Sequence, residues 1–335
     1  MTSPSLIGIY DGIAPPDTDD TSAPLFAVRP VPEFESYYVG KDSTGLACLL
    51  VATMSGTRSK PPPIRLESLD AQFELPCRIK APDGQLKDGL FTVVRCRSQE
   101  LETVHYFLSV CRIIILHIGD FPSRTKLAVA VRRIASIFQS IKKPPVRSLN
   151  GLFGELFLIF QSRSPSHAMA AWRIDDTARF DFSLGDVRME VKSCAGRVRL
   201  HRFSYDQCNP RPNTHAVVAS MLVERIPGGI SVGDLINRIE AQVSNSQEMV
   251  LKLHEIVAST LGDSLTASLH VTFDQRLVES SLLFFDLGEI PALRDPIPPR
   301  VSGVRFSVDL SGFTPLSTET LNDRDPDFWY LTSGD

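Results

Sequence analysis

Asp181, Glu190 and Lys192 stand in the segment Arg179-Phe-Asp-Phe-Ser-Leu-Gly-Asp-Val-Arg-Met-Glu-Val-Lys-Ser193. Side chains alternate across a strand, so Phe180, Phe182 and Leu184 share one face while Asp181 projects from the other. After the turn signal Gly185-Asp186, Val187, Met189 and Val191 take one face, and Arg188, Glu190 and Lys192 the other. Two strands joined so tightly form a hairpin. If both apolar faces meet the same core, two carboxylates and an ammonium converge on the opposite side. Carboxylate oxygens are hard ligands suited to Mg²⁺. A neighbouring lysine orients or deprotonates a water, or stabilises charge building on a phosphate. An exposed hairpin face carrying cross-strand ion pairs, worth about 0.2–1 kcal/mol, would show the same letters.

The segment before the hairpin bears on that choice. Gly151-Leu-Phe-Gly-Glu-Leu-Phe-Leu-Ile-Phe160 is apolar nearly all round a helical wheel, the mark of a helix buried within a domain. Glu155 is its only charge and falls between Leu152 and Ile159, beside the apolar sector. A carboxylate there is expensive unless paired or bound to metal. Alternatively it favours the positive N-terminal end of its helix.

The elements that must position these residues follow from pattern. Residues 1–34 are rich in Pro, Asp, Thr and Ser and read as an irregular lead-in. Residues 35–145 read as a β-rich accessory domain of short apolar runs broken by Gly, Pro and Asp, ending in two helices, Leu101 to Ile118 and Thr125 to Ile141. Lys142-Lys143-Pro144-Pro145 stops the second helix and marks a domain boundary. Residues 146–320 then read as a mixed α/β domain. It has a helix at Leu149 to Gln161, strands at Arg179 to Leu184 and Val187 to Ser193, and a loop or short helix at Ser204 to Cys208. A strand at Ala216 to Glu224 and one long helix from Val232 to Leu261 follow. One further strand around Ala171 to Ile174 fits the same order. Strands at Ala267 to Phe273, Ser281 to Leu287 and Val304 to Leu310 complete it, and residues 321–335 read as an acidic tail.

Composition narrows the class. The chain has 335 residues, 43% of them hydrophobic and 22% charged, as folded globular proteins do. Tyr106 to Gly119 is its most apolar stretch, shorter than a membrane span and interrupted by Arg112. The first twenty residues lack a signal-peptide pattern, so the expected location is the cytoplasm. Six cysteines scattered through so long a chain read as reduced thiols. From Arg124 to Arg211 there are 16 basic and 7 acidic residues in a chain whose net charge is −4, so a basic segment lies inside an acidic protein. Clustered cations suit a polyanion. Cys194, His201, Cys208 and His215 recur at seven-residue steps, wider than structural zinc ligand pairs use. Gly229-Ile-Ser231-Val-Gly233 matches a nucleophile-elbow pattern in letters but reads as a helix start capped by Ser231. No phosphate-binding G-x4-GK[ST] loop occurs, so any motor activity belongs to a partner.

Glu155 on a helix, Asp181, then Glu190-Val191-Lys192 resembles the PD-(D/E)XK nuclease superfamily. The surrounding SLNGLFGELFLI, Trp172, FDFS and MEVKSCAGRVRLHRFSYDQ resemble its bacterial branch known only as uncharacterised PD-(D/E)XK motif proteins. Phe180, not proline, precedes Asp181. The resemblance centres on Ser148 to Glu224. It implies an α-β-β-β-α-β restriction-endonuclease-like core and Mg²⁺-dependent hydrolysis of DNA phosphodiesters, with Mn²⁺ able to substitute. By the same resemblance Asp181 and Glu190 are metal ligands, Glu155 is an auxiliary ligand, Lys192 assists the attacking water, and Gln207 faces the substrate. Arg197, Arg199, His201 and Arg202 follow the hairpin and are candidates to grip phosphates. The branch is expected in bacterial restriction or anti-phage clusters beside ATPase or methyltransferase partners. A homodimer would supply the two centres needed to cut both strands. Two alternatives stay open: a catalytically weak DNA-recognition subunit, and a protein-interaction scaffold using the acidic remainder.

Overall fold

In a computed structural model of the chain, residues 5–17, 23–53, 60–174 and 178–333 are described. They fall into two compact units, Met1–Pro145 with Val250–Thr266, and Val146–Met249 with Ala267–Asp335.

The first unit contains α1 (Leu6–Asp11), β1 (Leu25–Pro30), β2 (Tyr37–Asp42), β3 (Ala47–Ala52), β4 (Ile64–Arg65), β5 (Leu69–Lys80), β6 (Leu86–Cys96), α2 (Leu101–Ile118) and α3 (Arg124–Ser140). The strands hydrogen-bond in the order β1-β2-β3-β6-β5-β4, and β1 also pairs with β5 in parallel, so the sheet closes on itself. Phe26, Leu50, Cys77 and Val93 are among the buried side chains that fill its interior. The lead-in is therefore not irregular throughout. Ser5 caps α1 through its side chain, and β1 is the strand that closes the sheet; residues 1–4 and 18–22 lie outside the described residues. Helix α2 is long and apolar enough to cross a membrane by length and composition, and most of it is buried within this unit.

The second unit begins with α4 (Leu149–Gln161), α5 (Pro165–Ala171), β7 (Phe182–Leu184), β8 (Val187–Cys194), β9 (Leu200–Ser204), α6 (Tyr205–Cys208), β10 (His215–Leu222), β11 (Arg225–Ser231) and α7 (Val232–Gln242). It continues with α8 (Gln247–Leu261), whose later turns belong to the first unit, α9 (Leu265–Leu269), β12 (Thr272–Phe273), α10 (Gln275–Ser281), β13 (Leu283–Asp286), β14 (Arg305–Asp309), α11 (Thr318–Arg324) and α12 (Phe328–Leu331). Its central sheet runs β13-β10-β8-β7, with β8 parallel to β10 and the other pairings antiparallel. The architecture is mixed α/β.

Several elements differ from expectation. Strand β9 leaves the central sheet and pairs with β14 instead. Ala171 ends a helix, and the strand contact around it is a lone bridge from Trp172 to Phe182. The long helix from Val232 breaks into α7 and α8 at Val243–Ser246, where Ser244, Asn245 and Ser246 favour a turn over helix. Only Thr272–Phe273 of the expected strand from Ala267 is extended, because a short apolar run does not distinguish helix from strand. The acidic tail carries α11 and α12, and Phe328 and Leu331 are buried against the unit. Ser231 caps α7, its hydroxyl accepting from the Asp234 N–H at 2.9 Å.

Helix α4 is held close to the hairpin. Ser148 caps it by accepting from the Gly151 N–H at 3.2 Å. At Gly154 the helix backbone meets β8: an added methyl there would collide with Ser193 and press on Met221 Sδ at 3.2 Å and Val191 Cγ1 at 3.3 Å. That approach sets Glu155, the next residue, beside the strand that carries Glu190.

Candidate active site

The hairpin register pairs Phe182 with Met189, Ser183 with Arg188 and Leu184 with Val187. Gly185 turns the chain with φ of 48°, a conformation that costs glycine little. Continuing the same register brings Asp181 to Glu190 and Val191. Asp181 Oδ2 accepts the Val191 N–H at 3.0 Å, and its backbone carbonyl accepts the Arg173 N–H at 2.8 Å. Arg173 is left-handed, with φ of 41°, a strained conformation for a non-glycine residue. It sits beside the acidic cluster, where such strain concentrates.

Three carboxylates are buried here: Glu155 at 3% exposure, and Asp181 and Glu190 at 4% each. Glu155 Oε2 accepts from the Trp172 indole at 2.6 Å, and its Oε1 from Arg173 Nη2 at 2.8 Å and Arg147 Nη1 at 3.5 Å. The same Arg147 Nη1 donates to Asp181 Oδ1 at 2.7 Å. Lys192 Nζ donates to Glu190 Oε1 at 2.6 Å. Three acids thus face three cations, the arrangement that makes buried charge tolerable.

Burial first and Asp181 second push the Glu155 carboxyl up from its ordinary value, against the pull of Arg173. Glu190 is pushed up to about 8 by burial and by Asp181, and Lys192 only partly offsets this. Its Oε2 is buried with no hydrogen-bond partner among the described residues. A buried, unsatisfied carboxylate oxygen costs free energy that an additional ligand would remove.

These residues border a cleft of about 720 Å³ lined by Arg147, Arg179, Asp181, Glu190, Lys192, Arg202, Ser204, Gln207 and Arg305, with Val146, Phe203 and Asp206. Lys192 lies over the Phe203 ring, 5.4 Å from its centroid. Strands β9 and β14 form one wall. Arg202 lies opposite Ser307, and Ser204 opposite Arg305, so both arginines share the exposed face of that ribbon.

The four expected phosphate-gripping residues and the substrate-facing Gln207 separate. Arg202 and Gln207 line the cleft. Gln207 also closes a capping box with Ser204, accepting from the Ser204 N–H at 2.9 Å. Arg197 pairs with Glu224 at 3.1 Å and is not among the cleft-lining residues. Arg199 and His201 are buried, which overturns their expected role. Arg199 donates to the Ser220 carbonyl and hydroxyl at 2.8 Å each and to the Ser281 carbonyl; His201 Nε2 meets Ser220 Oγ at 2.7 Å. Burial, then Lys192 and Arg199, pull His201 down to about 4, so it is a neutral anchor of the ribbon. Sequence reasoning missed Arg147, Arg173, Arg179 and Arg305. Arg147 directly precedes the cap of α4, a local signal; nothing near Arg305 points to this cleft.

Among the described residues, no three His, Cys, Asp or Glu side chains are gathered to hold a metal ion. Glu155 is a correction to the expected ligand set, because both its oxygens are committed to Trp172, Arg173 and Arg147. What remains is a pair. Asp181 and the unsatisfied Oε2 of Glu190 are hard oxygen donors beside a cleft, and Mg²⁺ uses one or two carboxylates plus waters and substrate phosphate. The residues present fit that ion.

Residues 18–311 match a family model described as "Putative PD-(D/E)XK family member, (DUF4420)". No curated protein and no solved structure matches the chain. Members of the PD-(D/E)XK superfamily are generally phosphodiesterase nucleases. With most of its length matched, and with Asp181, Glu190 and Lys192 brought to one cleft, the chain belongs to the DUF4420 family, which carries that PD-(D/E)XK description.

Proposed function

We propose that the chain is a Mg²⁺-dependent DNA endonuclease, with Asp181 and Glu190 as the metal-holding pair and Lys192 acting on water or on developing phosphate charge. The observation that carries this reading is the buried Oε2 of Glu190, without a partner among the described residues, beside Asp181 and Lys192 in an arginine-lined cleft. A bound divalent ion would supply a polarised water and neutralise charge on the phosphate. Lys192, held by Glu190 at 2.6 Å and partly exposed to the cleft, presents an ammonium where that charge develops. Arg179, Arg202 and Arg305 orient the substrate through its phosphates, which fix register without reading sequence. Glu155, clamped by Trp172 and Arg173, positions the helix and shares a cation with Asp181. The mixed β13-β10-β8-β7 sheet preceded by α4 supports a restriction-endonuclease-like core. By family resemblance the setting is bacterial restriction or anti-phage defence.

The test is incubation of purified protein with supercoiled plasmid and Mg²⁺ or Mn²⁺, beside Asp181→Ala and Lys192→Ala. Nicking or linearisation by the wild type, lowered by about 10²-fold or more in each variant, is the expected result. Salt-sensitive DNA binding with no cleavage under any metal would favour a recognition subunit instead.

A further inference from the structure

Arg147 stands where a metal-dependent site would not be expected to keep a guanidinium. Its Nη1 lies 2.7 Å from Asp181 Oδ1 and 3.5 Å from Glu155 Oε1, on the one Asp181 oxygen that the Val191 N–H leaves open. With its three carboxyls ionised the cluster balances, Glu155, Asp181 and Glu190 against Arg147, Arg173 and Lys192. A divalent cation added to it would leave two positive charges uncompensated in a buried place, and like charges that close repel strongly. Release of one of the three cations would remove half of that excess.

The three are not equally held. Lys192 is fixed in β8, where it pairs with Ser220 of β10, with its side chain 20% exposed. Arg173 follows α5, has a side chain 13% exposed, and is tied through its own N–H to Asp181. Arg147 belongs to an exposed run, 142–148, that is neither helix nor strand, and its side chain is 45% exposed. It lines the open cleft, so its guanidinium has water to turn into. Removing it from Asp181 frees an oxygen of a carboxylate already paired with the unsatisfied Glu190.

We propose that Arg147 is an exchangeable internal counter-ion of the Asp181–Glu155 pair, which a divalent cation displaces, and that this competition sets the metal affinity of the site. The inference rests on the reading of Asp181 and Glu190 as the metal-holding pair. It gives a role to the guanidinium that bridges Asp181 and Glu155. It also places a released guanidinium on the cleft wall with Arg179, Arg202 and Arg305, within reach of a substrate phosphate.

Calorimetric titration of Mn²⁺ into the metal-free full-length protein, without nucleic acid, reads the competition directly. Arg147→Ala and Arg147→Gln are expected to bind Mn²⁺ at least about tenfold more tightly than wild type, and Arg147→Lys within about threefold of it. Unchanged or weaker binding in folded Arg147→Ala and Arg147→Gln would overturn the proposal. Glu190→Ala separates the two layers: Mn²⁺ binding at wild-type affinity there would sink the metal-site reading itself. A second measurement needs no charge-removing variant to fold. In the wild type, Mg²⁺ should shift the Arg147 Nε–Hε resonance, assigned by its loss in Arg147→Lys, in step with metal binding. A resonance that stays fixed while the ion binds would show that Arg147 remains on Asp181.

Discussion

Glu190→Gln should remove a pH dependence that metal-free wild type carries. Burial, Asp181 and Glu155 raise the Glu190 carboxyl to about 8, from an ordinary value near 4.5. A carboxyl raised on folding contributes stability that is complete below its unfolded pKa and is lost as pH climbs through the folded value. At 1.36 kcal/mol per pH unit, the wild type should lose roughly 2 kcal/mol between pH 6.5 and 9. Below that window buried His201, held down to about 4, acts in the opposite sense, since it must gain a proton on unfolding. Glutamine keeps a carbonyl for Lys192 and has nothing to titrate, so its stability should fall less over the same range, by the share that Glu190 contributes. Both tryptophans, Trp172 and Trp329, lie in the second unit, so urea unfolding followed by their fluorescence reports on the part that contains Glu190. Mg²⁺ should restore the wild type most at high pH, because the ion binds the ionised carboxylate. Parallel pH curves for wild type and Glu190→Gln would refute the reasoning.

Trp172→Phe removes the indole N–H from Glu155 Oε2 while keeping most of the buried ring. It should cost about 1.5–3 kcal/mol where the carboxylate is ionised, and less as falling pH protonates the raised Glu155 carboxyl, measured by calorimetric unfolding. Gly154→Ala wedges a methyl between α4 and β8 and should cost about 1–3 kcal/mol in the same experiment, with Glu155 displaced and cleavage reduced as well. Arg202→Ala with Arg305→Ala should weaken DNA binding without altering Mn²⁺ affinity. The slope of log K against log salt should become shallower by about 2, one unit for each phosphate no longer neutralised; an unchanged slope would remove the β9–β14 ribbon from the interface.

The hairpin was legible because its cause is local. Alternation and the Gly185-Asp186 turn put Asp181 on the same side of the hairpin as Glu190, and the apolar wheel of α4 put Glu155 beside its apolar sector; whether either place was buried stayed open. The charge partners were not legible. Arg305 reaches the cleft only because β14 pairs with β9, a contact between residues about a hundred positions apart that no local pattern encodes. Arg199 and His201 were grouped with Arg202 as surface cations, yet β9 alternates. Phe203 and His201 point inward while Leu200 and Arg202 point outward, so the buried phenylalanine was the signal that His201 lies inside. Arg199 falls on the same inward side, where its guanidinium finds the Ser220 and Ser281 carbonyls, and a long cation can bury only where such acceptors wait. The closing strand β1 was hidden by the Pro- and Asp-rich residues around it, because one short strand gains its stability from tertiary pairing and not from propensity.

The most direct measurement is the anomalous scattering of Mn²⁺ in crystals of the full-length protein. The expected result is a peak in contact with carboxylate oxygens of both Asp181 and Glu190, with the Arg147 guanidinium turned away from Asp181. No peak at millimolar Mn²⁺, or a peak away from this pair with Arg147 still bridging Asp181 and Glu155, would contradict the assignment of the catalytic centre.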